Sequence, residues 1–246
     1  MGDGAAIMTA LFFEVMKHDP KTWGRDAKGQ DAFILSAGHL APVYYSVLAR
    51  SGYFDLKELS QLRKCGAMLQ GHPSLSTFGV YQPSGSLGQG LSAAAGIALA
   101  KKMDGQSEKV YVLCGDGELE EGQNWEAAMF ASSKKLGNLI AMTDWNNRQI
   151  DGDVSKVGGV QDYSKIWSAF GWKTIIADGH DFDSILGAFN EAITDESGSP
   201  KMIVFRTEMG HGVDFMAGQG KWHGKTPSQE ELTSALGQLE ETLGDY

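Results

Sequence analysis

The chain has 246 residues, with 21 lysines and arginines against 31 aspartates and glutamates, so its formal net charge is −10. This acidic balance argues against a protein that binds the phosphate backbone of nucleic acids. Hydrophobic residues make up 42% of the chain, which excludes a disordered protein and is enough to bury a full core. No apolar run approaches the length of a membrane span and no basic signal region opens the chain, so we expect a soluble, cytoplasmic protein.

The first part of the chain predicts three helices, one strand and a long loop. Apolar residues at helical spacing predict a helix over residues 5–17. A short buried strand over 33–35 follows, then a helix over 40–52 and a shorter one over 55–64. Residues 65–86 have no period and are rich in Gly, Pro and Ser, which predicts a loop; loops of this length are usually functional or disordered.

The second part predicts alternating strands and helices. An Ala-rich run predicts a helix over 87–102, and the remaining elements are strands over 110–114, 139–142, 174–177 and 202–205, with helices over 125–135, 182–194 and from 229 onwards. This alternation is typical of an α/β fold with a mostly parallel, doubly wound sheet and helices on both faces. Because we find no internal repeat and no linker, we expect residues 1–246 to form a single domain. Cys65 and Cys114 predict reduced thiols rather than a disulfide or metal framework.

Polar residues that follow two neighbouring strands are the first candidates for chemistry. The carboxyl ends of parallel strands meet at one edge of a sheet, so we expect Asp116 and Asn146 to lie close together. With the nearby carbonyl of Arg148 they offer the oxygen ligands that Mg²⁺ or Ca²⁺ takes. Each dipeptide alone is typical of a turn. Together, with 28 residues between Gly117 and Asn146, they match the thiamine diphosphate signature, a Gly-Asp-Gly followed by an Asn.

Several motifs in one order resemble those of the transketolases, and in particular the N-terminal, diphosphate-binding subunit of split, two-gene transketolases. The resemblance covers residues 5–227 and includes LSAGH at 35–39, GHP at 71–73, SGSLGQG at 84–90, GDGELEEG at 115–122, DWNNRQIDG at 144–152 and DGHD at 178–181. It implies a thiamine diphosphate-binding fold.

The resemblance also implies a role for each matching residue. Asp116, Asn146 and the carbonyl of Arg148 would hold the divalent ion, and His39, Gly117 and His223 would surround the diphosphate. His72 would lie near the substrate hydroxyls. Gly85, Leu87 and Ile150 would contact the rings of the cofactor. Glu121 would belong to a cluster of carboxylates at a subunit interface. We expect His72, His223 and Glu121 to serve catalysis.

The residues themselves support these roles unequally. His39 begins a predicted helix beside a strand end, where an imidazole can meet an anion, and His72 lies in the long loop, where functional residues concentrate. The sequence around His223 does not distinguish a functional histidine from an ordinary loop residue. His180 fits a turn before a helix, and His211 stays open.

Two other features of the signature region have simple explanations. The loop over 84–90 leads into the N-terminus of a helix. Such a glycine-rich loop can bind an anion or allow close packing of the chain. Glu118 and Glu120 fit favourable charges in a first helical turn; this explanation suits Glu121 less well.

Two departures separate the chain from the transketolase pattern. Relatives carry a Ser-Gly-His-Pro-Gly segment before the first helix, where this chain begins Met1-Gly2-Asp3-Gly4, so the histidine of that segment is absent. Many relatives have Pro-Gly-Val-Glu where this chain has Phe78-Gly79-Val80-Tyr81, which removes a carboxylate from the loop.

The function that the resemblance implies is transfer of two-carbon units between sugar phosphates by a thiamine diphosphate- and Mg²⁺-dependent transketolase. The pyrimidine-binding domain with its activating glutamate would come from a C-terminal partner subunit, and a homodimer would form the core of a heterotetramer. Another thiamine diphosphate enzyme, such as a 1-deoxyxylulose-5-phosphate synthase or an oxo-acid dehydrogenase component, and a non-catalytic assembly module are the alternatives. A nicotinamide dehydrogenase is disfavoured because no Gly-x-Gly-x-x-Gly turn follows a strand.

Overall fold

Five parallel strands form one sheet in the computed structural model, which describes residues 4–160 and 162–239. The strands are β1 Ala32–Leu35, β2 Val110–Gly115, β3 Leu139–Trp145, β4 Lys173–Asp178 and β5 Lys201–Arg206. Their order across the sheet is β1-β2-β3-β5-β4, and every neighbouring pair is parallel. The predicted parallel sheet is confirmed, and β3 extends three residues beyond its predicted end to Trp145.

The α-helices of the described residues agree with the predicted ones except near their ends and between β3 and β4. They are α1 Ala5–Ala10, α2 Ala41–Arg50, α3 Gln89–Met103, α4 Gly122–Ser133, α5 Val154–Val157, α6 Tyr163–Ala169, α7 Phe182–Thr194 and α8 Gln229–Leu236. A π-helical turn over Leu11–Val15 continues α1, and the helix predicted over 55–64 is a 3₁₀ helix over Leu56–Gln61. Neither α5 nor α6 was predicted from the sequence. The aromatic residues Tyr163 and Trp167, four positions apart, are the sequence signal that could have revealed α6, and both are buried there.

The helices cover both faces of the sheet, as predicted. Phe33 and Leu35 of β1 point into a core shared with α1, α2 and α7, whereas Ile34 points into a second core shared with α3, α4 and α6. This alternation follows from the period of two along a strand. Both faces of β1, β2, β3 and β5 are buried for most of their length, which explains why these strands read as continuous apolar runs. The edge strand β4 is partly exposed, with Ile176 47% exposed.

The chain crosses the sheet in two directions, and the helices change face accordingly. From β2 to β3 and from β3 to β4 the connections run through α4 and α6 on one face, whereas the return from β4 to β5 runs through α7 on the other. Right-handed crossovers require this switch of face when the direction of travel reverses. The carboxyl ends of all five strands therefore lie along one edge, where Asp116 and Asn146 follow β2 and β3.

A buried lysine holds the segment before β1 against α3. Lys101 is 3% exposed, and its ammonium group donates hydrogen bonds to the carbonyls of Ala27 (2.5 Å) and Gln30 (2.9 Å) and to Gln106 Oε1 (3.1 Å). Removal of such a donor leaves buried acceptors unpaired.

We expect Lys101→Met to lower the free energy of unfolding by about 3 kcal/mol, because unpaired buried acceptors cost roughly 1–3 kcal/mol each. Chemical denaturation of the two proteins measures the difference. Lys64→Met, at an exposed position, is the control and should change stability by less than about 0.5 kcal/mol. Equal stability of the two variants would contradict a clamping role for Lys101.

Candidate functional site

A cavity of about 430 Å³ opens beyond the carboxyl ends of β2 and β3. This is the position at which open parallel sheets bind ligands. Nine of the residues singled out in the sequence line it, namely His39, Leu87, Asp116, Gly117, Glu121, Asn146, Arg148, Ile150 and His223. Residues far apart in the chain thus meet in one cleft. The other two, His72 and Gly85, lie in the adjoining loop.

The turn after β2 orients a buried carboxylate. Asp116 is 1% exposed and begins a 3₁₀ turn over Gly117–Glu120. Its Oδ1 accepts a hydrogen bond from Gly117 N (2.8 Å), and its Oδ2 accepts one from Asn147 N (2.5 Å). A side chain at Gly117 would collide with Gln149, since a Cβ there would lie 2.7 Å from Gln149 Oε1. The carboxylate is therefore held in place beside a backbone that carries no side chain.

The turn after β3 brings the second half of the signature to the same point. Asn146 Oδ1 accepts a hydrogen bond from Arg148 N (2.8 Å), which is the local bond of an Asx turn. Asn147 has a φ of 58° and donates its main-chain N–H to Asp116. This bond joins the two turns directly, as the neighbouring strand ends predicted.

A tight backbone loop then projects Ile150 over the cleft. Gln149 and Gly152 exchange main-chain hydrogen bonds of 2.9 and 3.1 Å, and Gly152 has a φ of 138°, which favours glycine. Ile150, at the tip, is 79% exposed. Leu87 is also exposed on the cavity wall. Two apolar side chains thus flank the polar floor of the cleft.

The cleft is acidic. Among the described residues that line it, one arginine, Arg148, faces six carboxylates: Asp116, Glu118, Glu120, Glu121, Asp144 and Asp151. The guanidinium of Arg148 forms an ion pair with Asp153. A bare polyanion would be repelled from such a surface, so an anionic ligand here needs a bound cation.

Two histidines border the cavity opposite these carboxylates. The rings of His39 and His223 lie with their centroids 5.2 Å apart. His39 is exposed along the cavity, yet nearby protein atoms desolvate its ring. This desolvation, followed by the charges of His223 and His72, lowers the pKa of His39 to about 4. His39 is therefore neutral at pH 7 and can both donate and accept a hydrogen bond.

The long loop over 65–86 carries His72 beside the cleft. The ring of His72 packs against Gly38 and Gly85, so closely that a Cβ at Gly38 would lie 2.9 Å from His72 Cδ2. Gly85 has a φ of 151°, which favours glycine. The loop thus presents His72 near His39, and glycine is required on the surface that receives its ring.

Aromatic side chains pack together around residues 78–81, where the sequence departs from the transketolase pattern. Phe78 and Tyr81 both contact Trp23, with ring centroids 4.7 and 5.4 Å away, and Phe78 also lies 5.8 Å from Tyr53. The loop is therefore anchored by aromatic contacts at Phe78 and Tyr81.

Glu118 lies in the first turn of the 3₁₀ helix after β2, as the sequence predicts, but its side chain is buried. Glu118 is 3% exposed, because its side chain turns inward and accepts hydrogen bonds from three segments of the chain. Glu120, in the same turn, is exposed, and so is Glu121. The sequence around Glu118 gives no signal of burial, since two of its three donors, Ser36 and Gly88, come from distant residues.

Two other histidines lie outside the cleft. His180 and His211 stack with ring centroids 3.8 Å apart and line a separate cavity. His180 lies in the turn before α7, as predicted, and the next residue, Asp181, caps this helix by accepting a hydrogen bond from Asp183 N (3.2 Å).

The donor set of the cleft fits a divalent ion and a diphosphate. No group of three or more His, Cys, Asp or Glu suited to a metal occurs within residues 4–160 and 162–239. A cation would instead take one carboxylate oxygen of Asp116, the amide oxygen of Asn146 and a main-chain carbonyl, and Mg²⁺ completes such a set with water and phosphate oxygens. The main chain at Gly117 lies on the cavity wall beside Asp116, where it can meet a phosphate.

Comparison with known proteins agrees with this geometry. The family model described as "Transketolase, thiamine diphosphate binding domain" matches residues 1–241. The chain is 40% identical over 235 residues to the 6-deoxy-6-sulfo-D-fructose transketolase subunit of Clostridium sp. (strain MSTE9), covering 95% of this chain and 84% of that protein. It is 38% identical over 236 residues to an apulose-4-phosphate transketolase subunit of Actinobacillus succinogenes, covering 96% and 84%.

Longer transketolases match as well. Human transketolase is 41% identical over 226 residues, which are 90% of this chain and 35% of that protein. The crystal structure of Campylobacter jejuni transketolase superimposes with a TM-score of 0.87 and 32% identity, over 94% of this chain and 37% of that one. The chain thus spans about a third of these proteins. Both its sequence and its α/β fold place it in the transketolase family, as a thiamine diphosphate binding domain.

Proposed function

We propose that residues 1–246 act as one diphosphate-side domain, the cofactor-binding subunit of a ketol transferase that moves two-carbon units between sugar phosphates. The observation that carries this proposal is the hydrogen bond from Asn147 N to Asp116 Oδ2 (2.5 Å) on the floor of the acidic cleft. It joins the turn at Asn146 to the turn at Asp116, which supports a cation held between the two halves of the thiamine diphosphate signature.

The cleft offers a place for each part of the cofactor. Asp116, Asn146 and the carbonyl of Arg148 hold Mg²⁺ or Ca²⁺, which neutralises the diphosphate in this acidic surrounding. His39, Gly117 and His223 surround the diphosphate. Because Leu87 and Ile150 expose apolar side chains beside the polar floor, they suit the cofactor rings, together with Gly85.

Thiamine diphosphate, when bound, supplies an electron sink for cleavage of a carbon–carbon bond. The chain's own residues position the reactants and move protons. His72 donates a hydrogen bond to the substrate or carries a proton at a ring nitrogen, and His223, 5.2 Å from His39 between ring centroids, shares this task. Glu121 is exposed at the cleft, where it can join carboxylates across a subunit interface.

The site requires a second chain. Two relatives of whose own length this chain covers 84% are named as subunits, and Leu87 and Ile150 are exposed at the rim of the cleft. We infer that a C-terminal transketolase subunit with a pyrimidine-binding domain covers this rim and supplies the activating glutamate.

Two copies of this chain then form the homodimer core of a heterotetramer. The exposed apolar side chains of Met103, Met129 and Phe130 on α3 and α4 support an interface between copies. A cytoplasmic location agrees with the free thiols of Cys65 and Cys114. Within the described residues, no helix is both long and apolar enough to cross a membrane.

The decisive experiment assays ketol transfer with and without the partner. We expect the purified chain alone to be inactive and the reconstituted complex to transfer a two-carbon unit from xylulose 5-phosphate to ribose 5-phosphate. Apulose 4-phosphate and 6-deoxy-6-sulfofructose, the sugars in the names of two relatives, extend the substrate panel. Turnover by the chain alone would contradict the split-subunit proposal, and inactivity of a well-folded complex towards every sugar would favour a non-catalytic assembly module.

A further inference from the structure

The buried carboxylate of Glu118 connects three segments that end at the cleft. Its Oε1 accepts hydrogen bonds from Ser36 Oγ (2.5 Å) and Gly88 N (2.9 Å), and its Oε2 accepts one from Gly115 N (3.0 Å). The main-chain carbonyl of Glu118 accepts a further bond from Asn124 Nδ2 (2.7 Å). The three side-chain contacts reach the end of β1, the start of α3 and the end of β2.

Each of these contacts lies next to a proposed cofactor contact. Ser36 precedes His39 by three residues, Gly88 directly follows Leu87, and Gly115 directly precedes Asp116. A displacement of Glu118 would therefore shift the cation-binding turn and the apolar wall of the cleft relative to one another.

The chemistry of the contacts selects a carboxylate. All three partners are donors, and an ionised carboxylate is an acceptor only. Ser36 Oγ also accepts a hydrogen bond from Gly90 N (3.2 Å), which leaves its hydroxyl proton free to be donated to Glu118. An amide in place of the carboxylate would turn an N–H group towards one of these donors and leave it unpaired.

The N-terminus of helix α3 favours a carboxylate at the position of Glu118. Gly88 is the N-cap residue of this 15-residue helix, with a φ of 82°, so Glu118 meets the positive end of the helix dipole. The glycine-rich loop over 84–90 thus directs the N-terminus of α3 at a carboxylate of this chain, Glu118, in line with one of its two interpretations. Burial raises the pKa of Glu118, and the hydrogen bonds from Ser36, Gly88 and Gly115 oppose that shift. A Cβ at Gly90 would lie 2.5 Å from Ser36 Oγ, so the same loop also requires close packing.

We propose that Glu118 is a positioning residue, which holds the turn at Asp116 and the loop at Leu87 in the relative placement that binds thiamine diphosphate. This inference rests on the proposed cofactor-binding function. It predicts that loss of the carboxylate weakens cofactor binding and leaves the chemical step nearly unchanged once cofactor is saturating.

The test compares Glu118→Gln with the matched control Glu126→Gln, which changes the same charge on the exposed side of α4. Calorimetry in the presence of Mg²⁺ should give about 10- to 100-fold weaker binding of thiamine diphosphate for Glu118→Gln, the usual range for loss of a group that orients a metal ligand. Hydrogen exchange in the cofactor-free chain should show faster exchange of the amides of Gly88 and Gly115. The control should match wild type in both measurements.

Kinetics of the reconstituted complex separate positioning from other roles. Glu118→Gln should raise the KM for thiamine diphosphate while kcat at saturating cofactor stays within about threefold of wild type; a purely structural defect would lower the active fraction without this split. Ser36→Ala removes one donor and keeps Glu118, so it should also weaken cofactor binding. It replaces Glu118→Gln in these measurements if Glu118→Gln does not fold.

Three results would contradict the positioning role of Glu118, and each leads to a different conclusion. Tight binding by wild type with equal affinity and equal exchange rates in Glu118→Gln would overturn the positioning role alone. A fall in kcat at unchanged cofactor affinity would overturn it in favour of a chemical role. Absence of thiamine diphosphate binding by wild type, alone and with the partner, would overturn the proposed function and this role with it.

Discussion

Replacing Asp116 by alanine should abolish measurable binding of thiamine diphosphate. The carboxylate is 1% exposed, and main-chain N–H groups of Gly117 and Asn147 hold its oxygens in place, so its orientation is fixed before a cation arrives. Loss of groups that merely orient metal ligands costs about 10- to 100-fold in affinity, and we expect loss of a ligand itself to exceed about 100-fold. Calorimetry on the reconstituted complex, with Mg²⁺ and with a chelator, measures the effect.

Asp116→Asn removes the charge and keeps the shape of the side chain. The amide retains one acceptor oxygen, so one of the two main-chain N–H groups that bond Asp116 loses its acceptor. We expect Asp116→Asn to lose Mg²⁺-dependent binding and to lower the free energy of unfolding by about 1–3 kcal/mol, while the protein still folds. Asp104→Asn, at the exposed end of α3, is the control. If Asp116→Ala and wild type bound the cofactor equally, with and without Mg²⁺, the metal assignment would be wrong.

Replacing His72 by alanine should lower turnover about 10²- to 10⁴-fold, the usual contribution of a positioned acid or base, while cofactor affinity stays nearly unchanged. The ring rests against Gly38 and Gly85 beside the cleft and does not line its acidic floor, so its removal should spare the cation and diphosphate contacts. Steady-state kinetics and calorimetry on the same complex measure the two effects separately.

His211→Ala is the matched control for His72→Ala. His211 is also an exposed histidine in a glycine-rich loop, but it lines a different cavity, so its replacement should leave turnover unchanged. A His72→Ala enzyme that bound cofactor poorly yet reached wild-type turnover at saturating cofactor would instead place His72 among the diphosphate contacts.

The local patterns of the chain were sufficient to predict the sheet and the floor of the cleft. Strands of a parallel sheet form short apolar runs, so the five strands and their parallel arrangement could be predicted from these runs and from the alternation with helices; their order across the sheet, β1-β2-β3-β5-β4, could not. The meeting of Asp116 with the turn at Asn146 followed from the rule that neighbouring strands of a crossover end at the same edge. Here a short-range pattern and a general rule of chain topology were enough.

Contacts between distant residues could not be predicted in this way. Glu118 reads as a simple first-turn charge because two of its donors, Ser36 and the amide of Gly88, become its neighbours only when β1, β2 and α3 assemble. The lowered pKa of His39 likewise depends on its desolvation by the assembled chain and on His223, which lies far along the sequence and 5.2 Å away between ring centroids. Burial and electrostatic surroundings are properties of the assembled fold, whereas periodicity and turn chemistry act over a few residues. The sequence by itself therefore determined which groups reach the cleft, and the tertiary structure decided their protonation, their orientation and which of them support the others.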